Sequence, residues 1–234
     1  MRGRTEIITS AFRRGDTGNF QSGETFIAAG QLLRRAYLLR IGLAYQSFTF
    51  PDRRRAIVDI FTPGDVVGLE TILSQRTSGS VTAAGPVKYL TLDATALQRL
   101  IEDRAIALSF LSLLVEARWR CEELSARIAR LEAPERLAAM LIDLYDRLRR
   151  RRLIARSTFN LHLTQQQIGD HLGLTNAHVN RVLRWFARED IAFVDRYVVI
   201  IRDIPRLRKL ARGEEEMTMQ RAKQLKDHIL ESVP

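Results

Sequence analysis

The chain has 234 residues and a net charge of +10, from 37 Lys and Arg against 27 Asp and Glu, with 46% hydrophobic residues. That is enough apolar sequence for one large or two small packed domains, and the basic balance suits a polyanionic partner. A lone cysteine, Cys121, excludes an intrachain disulfide, a cysteine-rich zinc site and an iron–sulfur cluster held by this chain's own thiolates.

No apolar run approaches the ~20 residues of a membrane helix, and the basic stretch Met1–Arg14 lacks an apolar signal core, so a cytoplasmic protein without membrane contact is expected. Residues 1–19, polar and punctuated by glycine, read as a loose arm or one short helix. Residues 20–102 read as a β-barrel domain. Short segments of β-type residues, Thr25–Ala28, Ala36–Ile41, Ala44–Phe50, Ala56–Phe61, Gly79–Ala83 and Lys88–Leu92, alternate with turn signals at Ser22, Pro51, Pro63 and Ala84. Helical character returns over Leu92–Asp103.

Residues 103–131 form one long helix. Phe110, Leu114, Ala117, Cys121, Leu124, Ile128 and Leu131 alternate four and three residues apart, the heptad spacing of a helix that pairs with a second copy. The competing reading is a single amphipathic helix packed on its own domain. Pro134 suits the first turn of a new helix through Leu137, Leu141, Leu144 and Leu148, which makes Glu132–Ala133 a hinge. The basic run Arg149–Arg152 is either solvated or in contact with phosphate.

Residues 132–212 hold the most specific stretch, LTQQQIGDHLGLTNAHVNRVLRWF, Leu163–Phe186. Ile168 and Leu172 share a face of one helix; Val179, Val182, Leu183 and Phe186 share a face of the next. Gly169 lets the helices cross closely, Gly173 suits the left-handed end of the first, and Thr175 can cap the second. This is a helix-turn-helix. Its second helix turns Ala177, Asn180, Arg181, Arg184 and Arg188 outward, with Asn176 and His178 near its start and Thr164 and Gln165 opening the first helix. Such residues read bases and touch phosphate. Thr158–Leu163 reads as a strand, Ala192–Val194 and Tyr197–Ile201 as a wing, and Ile204–Ala211 as a closing helix. Residues 213–234 are a charged tail.

The fold class is therefore α+β: a jelly-roll-like double-stranded β-helix, a dimerisation helix and a C-terminal winged helix-turn-helix. In this order the elements resemble the Crp/Fnr family of bacterial transcription regulators, most specifically over Leu163–Leu183 and over Phe61–Leu73, FTPGDVVGLETIL, where Gly64 and Gly68 stand at the family's hairpin turns. The resemblance implies a homodimer on a two-fold-related promoter site in double-stranded DNA, and contact with RNA polymerase. It also implies an effector pocket involving Gly68, Glu70, Arg76, Thr77, Ser78 and Cys121.

Cyclic-AMP-binding members hold ribose and phosphate with a Gly-Glu and an Arg-Ser pair. Here the matching positions are Gly68-Leu69 and Thr77-Ser78, with Arg76 one place out of register, so cyclic-nucleotide binding is not carried over and no cofactor is expected. His162, His171, His178 and His228 all lie beyond the hinge, which excludes histidine-held haem in the sensor domain. Ala177 stands where many members have an acidic base reader, whereas Arg181 matches their groove-facing arginine. Cys121 reads as a small buried hydrophobe, with a thiol sensor or an interchain disulfide as alternatives. No P-loop, Gly-x-Gly-x-x-Gly, HExxH or nucleophile elbow is present, so the chain is not expected to be an enzyme. An obligate small-molecule gate in the barrel is the second functional reading.

Overall fold

The structure, a computed structural model, describes residues 4–73, 76–154 and 156–213; the tail expected from 213 onward lies outside this range beyond Gly213. Helix α1 (Arg4–Phe12) leads into β1 (Asp16–Phe20), β2 (Thr25–Ile27), β3 (Arg35–Ile41), β4 (Ala44–Thr49), β5 (Arg55–Phe61), β6 (Val66–Val67), β7 (Ser80–Ala83) and β8 (Val87–Asp93). Two antiparallel sheets, ordered β1-β8-β3-β6 and β2-β7-β4-β5, face each other as a jelly-roll-like sandwich. Period-two alternation turns Ile27, Leu39, Phe61, Val67, Val81 and Val87 into the shared interior. Phe20, Phe26, Tyr37 and Tyr89 fill part of it, with Phe20 stacked on Phe26 at 4.2 Å and on Tyr89 at 4.3 Å between ring centroids.

Of the two readings of the N-terminal segment, a loose arm or one short helix, the structure has the helix: Ile8 and Phe12 of α1 are buried, and Phe12 meets Phe110 edge-on at 6.3 Å. Two strands depart from expectation. Strand β1 has the sequence DTGNF, without β-type periodicity, and exists because Asp16–Phe20 pairs along β8. Strand β6, only two residues long, is likewise made by its partner β3.

After the barrel come α2 (Ala94–Leu100), α3 (Arg104–Arg130) and α4 (Ala133–Arg150), then β9 (Thr158–Asn160), α5 (Gln165–Leu172), α6 (Asn176–Arg188), β10 (Ala192–Asp195), β11 (Val198–Ile201) and α7 (Ile204–Ala211). Asp93 and Asp103 cap α2 and α3 by accepting from backbone N–H groups of the first turn. Leu131 and Glu132 separate α3 from α4, so Ala133, expected in the hinge, already belongs to α4: the Glu135 carboxylate accepts from the Glu132 N–H at 2.7 Å, and Pro134 occupies the first turn of α4. Strands β10 and β11 pair Asp195 with Val198, which puts the wing turn at Arg196–Tyr197, one residue later than expected.

Part of the expected heptad stripe of α3 packs on its own protomer. Phe110 is buried against α1, Leu114, Ala117 and Cys121 border a barrel cavity, and Leu124 packs on the core of the C-terminal domain. Ile128 lies beside Gly173, and the chain leaves the helix at Leu131. Leu114 and Ile128 of that stripe are nonetheless 49% and 38% exposed, and further exposed apolar residues run along the other side: Leu108, Leu111, Val115 and Trp119 are 54%, 55%, 37% and 58% exposed. Their spacing of three, four and four is also helical, so periodicity in sequence marks two stripes without saying which one meets a partner.

The barrel and the C-terminal domain share one continuous core. Leu43, Tyr45, Ile57, Ile60 and Ala84 of the barrel cluster with Leu141, Leu144, Ile168 and Leu172. Polar contacts surround this core. Asp65, at the barrel's β5–β6 turn, accepts from Arg147 Nη2 at 2.6 Å and from Arg151 Nη2 at 2.7 Å, besides the Thr62 N–H and hydroxyl. The basic run is thus divided by the tertiary structure: Arg151 is clasped to the barrel, Arg149 lies over the Tyr145 ring, and Arg150 is exposed. Burial alone would push the Asp65 carboxyl up, but Arg147, Arg151 and Arg120 hold it far below the usual carboxylate range.

Candidate nucleic-acid interface

The helix-turn-helix is built by local chemistry. Thr164 caps α5 by accepting from Gln167 N–H, while the Gln167 side chain accepts from Thr164 N–H at 2.8 Å, a reciprocal box. Gly173 ends α5 at φ +66. A Cβ at Gly169 would lie 2.5 Å from the Leu174 carbonyl oxygen, so only glycine admits this crossing. Thr175 then caps α6 through the His178 N–H. Val179, Val182 and Phe186 bury one face of α6, as does Trp185, which the sequence pattern alone did not assign to the core.

The opposite face of α6 is basic and carries no acidic residue between Asn176 and Arg188. Asn176, Ala177, His178, Arg184 and Arg188 are exposed, and Asn180 and Arg181 are half-buried at the same surface. Asn180 is engaged at both ends of its amide: Nδ2 donates to Gln165 Oε1 at 3.0 Å, and Oδ1 accepts from Arg184 Nε at 2.5 Å. The chain Gln165–Asn180–Arg184 therefore ties the two helices together and orients the Arg184 fork. Among the described residues Arg181 forms no such link.

Several residues important to this surface were not picked out from sequence. The barrel-facing side of α5 carries Gln166, Gln167, Asp170 and His171. Arg55 Nε donates to Asp170 at 2.8 Å, Gln167 Nε2 donates to the Tyr45 hydroxyl at 3.2 Å, and His171 Nδ1–H donates to the Ile57 carbonyl at 3.0 Å. Burial lowers the His171 pKa from its ordinary value and keeps the ring neutral. The wing presents Arg196 and Tyr197, both exposed; Arg196 has φ +51, and His162 rests near the Tyr197 ring at 5.0 Å. An Asp-Arg turn between two apolar runs was the available sequence signal.

The second site expected from sequence is in the barrel. A cavity of about 180 Å³ lies between the sheets and α3, lined by Gly68, Glu70, Thr77 and Cys121 together with Ile27, Leu33, Phe61 and Val81. Arg76 and Ser78 are not among its lining residues. Arg76 Nη1 donates instead to the Gly30 carbonyl at 2.7 Å, and its backbone forms an isolated bridge to Leu32. The buried Thr77 hydroxyl donates to the Gly79 carbonyl at 2.6 Å. Cys121 is exposed rather than the buried hydrophobe expected from sequence; partial burial of its thiol, with nearby Asp59 adding to the effect, raises its pKa and disfavours the reactive thiolate.

Comparison with known proteins agrees with this architecture. Residues 17–104 match the family model described as the cyclic nucleotide-binding domain, and residues 135–210 match the Crp-like helix-turn-helix domain. A CRP-like cAMP-activated global transcriptional regulator of Mycobacterium tuberculosis is 30% identical over 198 residues, covering 83% of this chain and 87% of that protein. The nitrogen fixation regulation protein FixK of Bradyrhizobium diazoefficiens is 28% identical over 194 residues, covering 82% and 81%. Among solved structures, FixK2 from Bradyrhizobium japonicum shares the fold at a TM-score of 0.75 and 24% identity, over 84% of this chain and 96% of that one. Among the described residues no helix is long and apolar enough to cross a membrane. The basic α6 face, the wing, the sandwich and the two matched domains together show that this chain belongs to the Crp/Fnr family of transcription regulators, whose members are not enzymes.

Proposed function

We propose that the chain acts in the cytoplasm as a homodimer that binds a two-fold-related promoter site in double-stranded DNA and contacts RNA polymerase there. The observation that carries the DNA reading is the outward face of α6, which combines Arg181, Arg184 and Arg188 with a capped, exposed N-terminal turn. The dimer reading is supported by the exposed stripe Leu108, Leu111, Val115 and Trp119, with Leu114 at its border; a second α3 laid against it would remove this surface from water.

Selection of bound sequences from a random duplex pool tests the reading directly. On the selected site Arg181→Ala should lose about 1–3 kcal/mol and flatten preference at one base pair per half-site, with little effect on random DNA. Arg184→Ala should weaken both kinds of DNA. Failure of the purified protein to select any sequence, with and without small-molecule extracts, would sink the proposal.

A second reading keeps the fold but makes DNA binding depend on an effector in the barrel. The cavity bordered by both Glu70 and Cys121 of α3 supports it, since a ligand there would touch the helix that joins the two domains. The arginine that borders the cavity, Arg118 of α3, is paired with Glu122 at 2.7 Å, and Thr77 stands where the family's phosphate-holding arginine would be, so cyclic AMP and cyclic GMP fit poorly. DNA binding by additive-free protein at full strength would dismiss this reading.

A further inference from the structure

The turn between β4 and β5 carries three consecutive arginines, Arg53, Arg54 and Arg55, and it is fastened to the helix-turn-helix. Arg55 pairs with Asp170 of α5 at 2.7 Å, and two residues further along β5 the Ile57 carbonyl accepts from His171. Lower numbers in β5 therefore lie toward lower numbers in α5. The hairpin continues past Arg55 by one paired step, the Phe50 N–H donating to the Arg54 carbonyl at 2.8 Å, and bends at Arg53, so its tip lies from Asp170 toward the α5 N-terminus. Gln165 turns to α6 while Gln166 turns to Asp170 on the barrel side. The turn thus flanks the motif on the side away from the recognition helix.

The three charges differ in availability. Arg55 is neutralised by Asp170, and Arg54 by Asp52 at 2.6 Å. Arg53 is exposed, and among the described residues its guanidinium has no ion-pair partner; its φ of +66 marks the bend of the turn. The contacts of Arg55, Gln167 and His171 keep the turn in register with α5, so its charge is held in place beforehand rather than recruited. From this geometry we infer that the sensor domain makes its own DNA contact: Arg53 binds backbone phosphate of the duplex just outside each half-site. The inference rests on the DNA-binding reading above and extends it to a surface outside the winged helix-turn-helix.

The test uses the full chain and two duplexes carrying the selected site, one with about ten extra base pairs on each side and one trimmed at the outer edges of the half-sites. Affinity is followed against salt concentration. Asn tolerates the left-handed backbone at this position, so Arg53→Asn removes the charge without straining the turn. On the long duplex this variant should make the slope of log affinity against log salt shallower by about 0.9 per half-site; on the trimmed duplex it should change nothing, and Arg53→Lys should retain the wild-type slope. Equal slopes for Arg53→Asn and wild type on the long duplex would overturn the inference. So would an equal loss on both duplexes, or loss of promoter activation with unchanged DNA binding, which would make the turn a protein contact. Sequence-selective binding of the trimmed duplex by wild type separates these failures from failure of the DNA reading itself, which would overturn both.

Discussion

Asp65→Asn should loosen the union of the two domains more than any single change at the surface. Asp65 and Arg147 are each 6% exposed, and the carboxylate accepts from Thr62 N–H at 2.7 Å and from Arg147 and Arg151 at 2.6 and 2.7 Å. Asparagine keeps the shape but removes the charge, leaving Arg147 buried with only the Ile60 carbonyl at 2.8 Å and Asp143 at 3.3 Å. Breaking a buried pair in this way costs about 3–5 kcal/mol, because Arg147 stays desolvated with only the longer Asp143 pair to offset its charge. For a chain of this size that corresponds to roughly 6–20 °C in Tm. Calorimetry at pH 7 should show the barrel and the C-terminal domain separating into two transitions where the parent has one. Arg147→Met in the Asp65→Asn background should recover part of the loss, since the stranded charge is then gone. The folded-state pKa of Asp65 is depressed, so its contribution is present above the unfolded value of about 3.9 and is lost as pH falls through the folded one. The gap between parent and variant should therefore persist at pH 6 and close in strong acid. A loss under about 1 kcal/mol at pH 7 would refute the buried-pair argument.

Gly169→Ala should cost about 1–3 kcal/mol by urea unfolding and abolish specific DNA binding, because the new methyl meets the Leu174 carbonyl and drives α6 away from α5; an unchanged midpoint would mean that the crossing is looser than described. Trp119→Asp should yield monomers in light scattering with weakened binding of a two-half-site duplex, whereas a dimeric variant would move the interface off the exposed side of α3. His171, held neutral with its pKa lowered, makes a contribution that is present above the unfolded pKa of about 6.5 and is lost as pH falls through the lower folded value. Unfolding midpoints should accordingly drop between pH 7.5 and pH 5.5, and His171→Gln should flatten that dependence; an unaltered profile in the variant would assign the titration to another group.

The helix-turn-helix was legible in the sequence because nearly every constraint on it is local. A threonine cap, a glycine with φ +66, a glycine under a crossing helix and an apolar repeat act within a few residues of one another, and Leu163–Phe186 states all of them. The β-strands of the barrel were legible where alternation survived, and the hinge where Pro134 sits in the first turn of α4. Other features depend on residues far apart in the chain. DTGNF becomes a strand only because β8 offers it an edge, and Arg76, whose backbone bridges to Leu32, bonds the Gly30 carbonyl rather than lining the barrel cavity. The arginine run after α4 was ambiguous as a run; Asp65, more than eighty residues earlier, decides that Arg151 joins the barrel. The long helix shows the limit most clearly. Its 3.5-residue spacing picks out an apolar stripe, but a helix packed on its own barrel and one paired with a second copy have the same period, so only the position of α3 over the barrel decides that Phe110 and Leu124 face inward while Trp119 faces out.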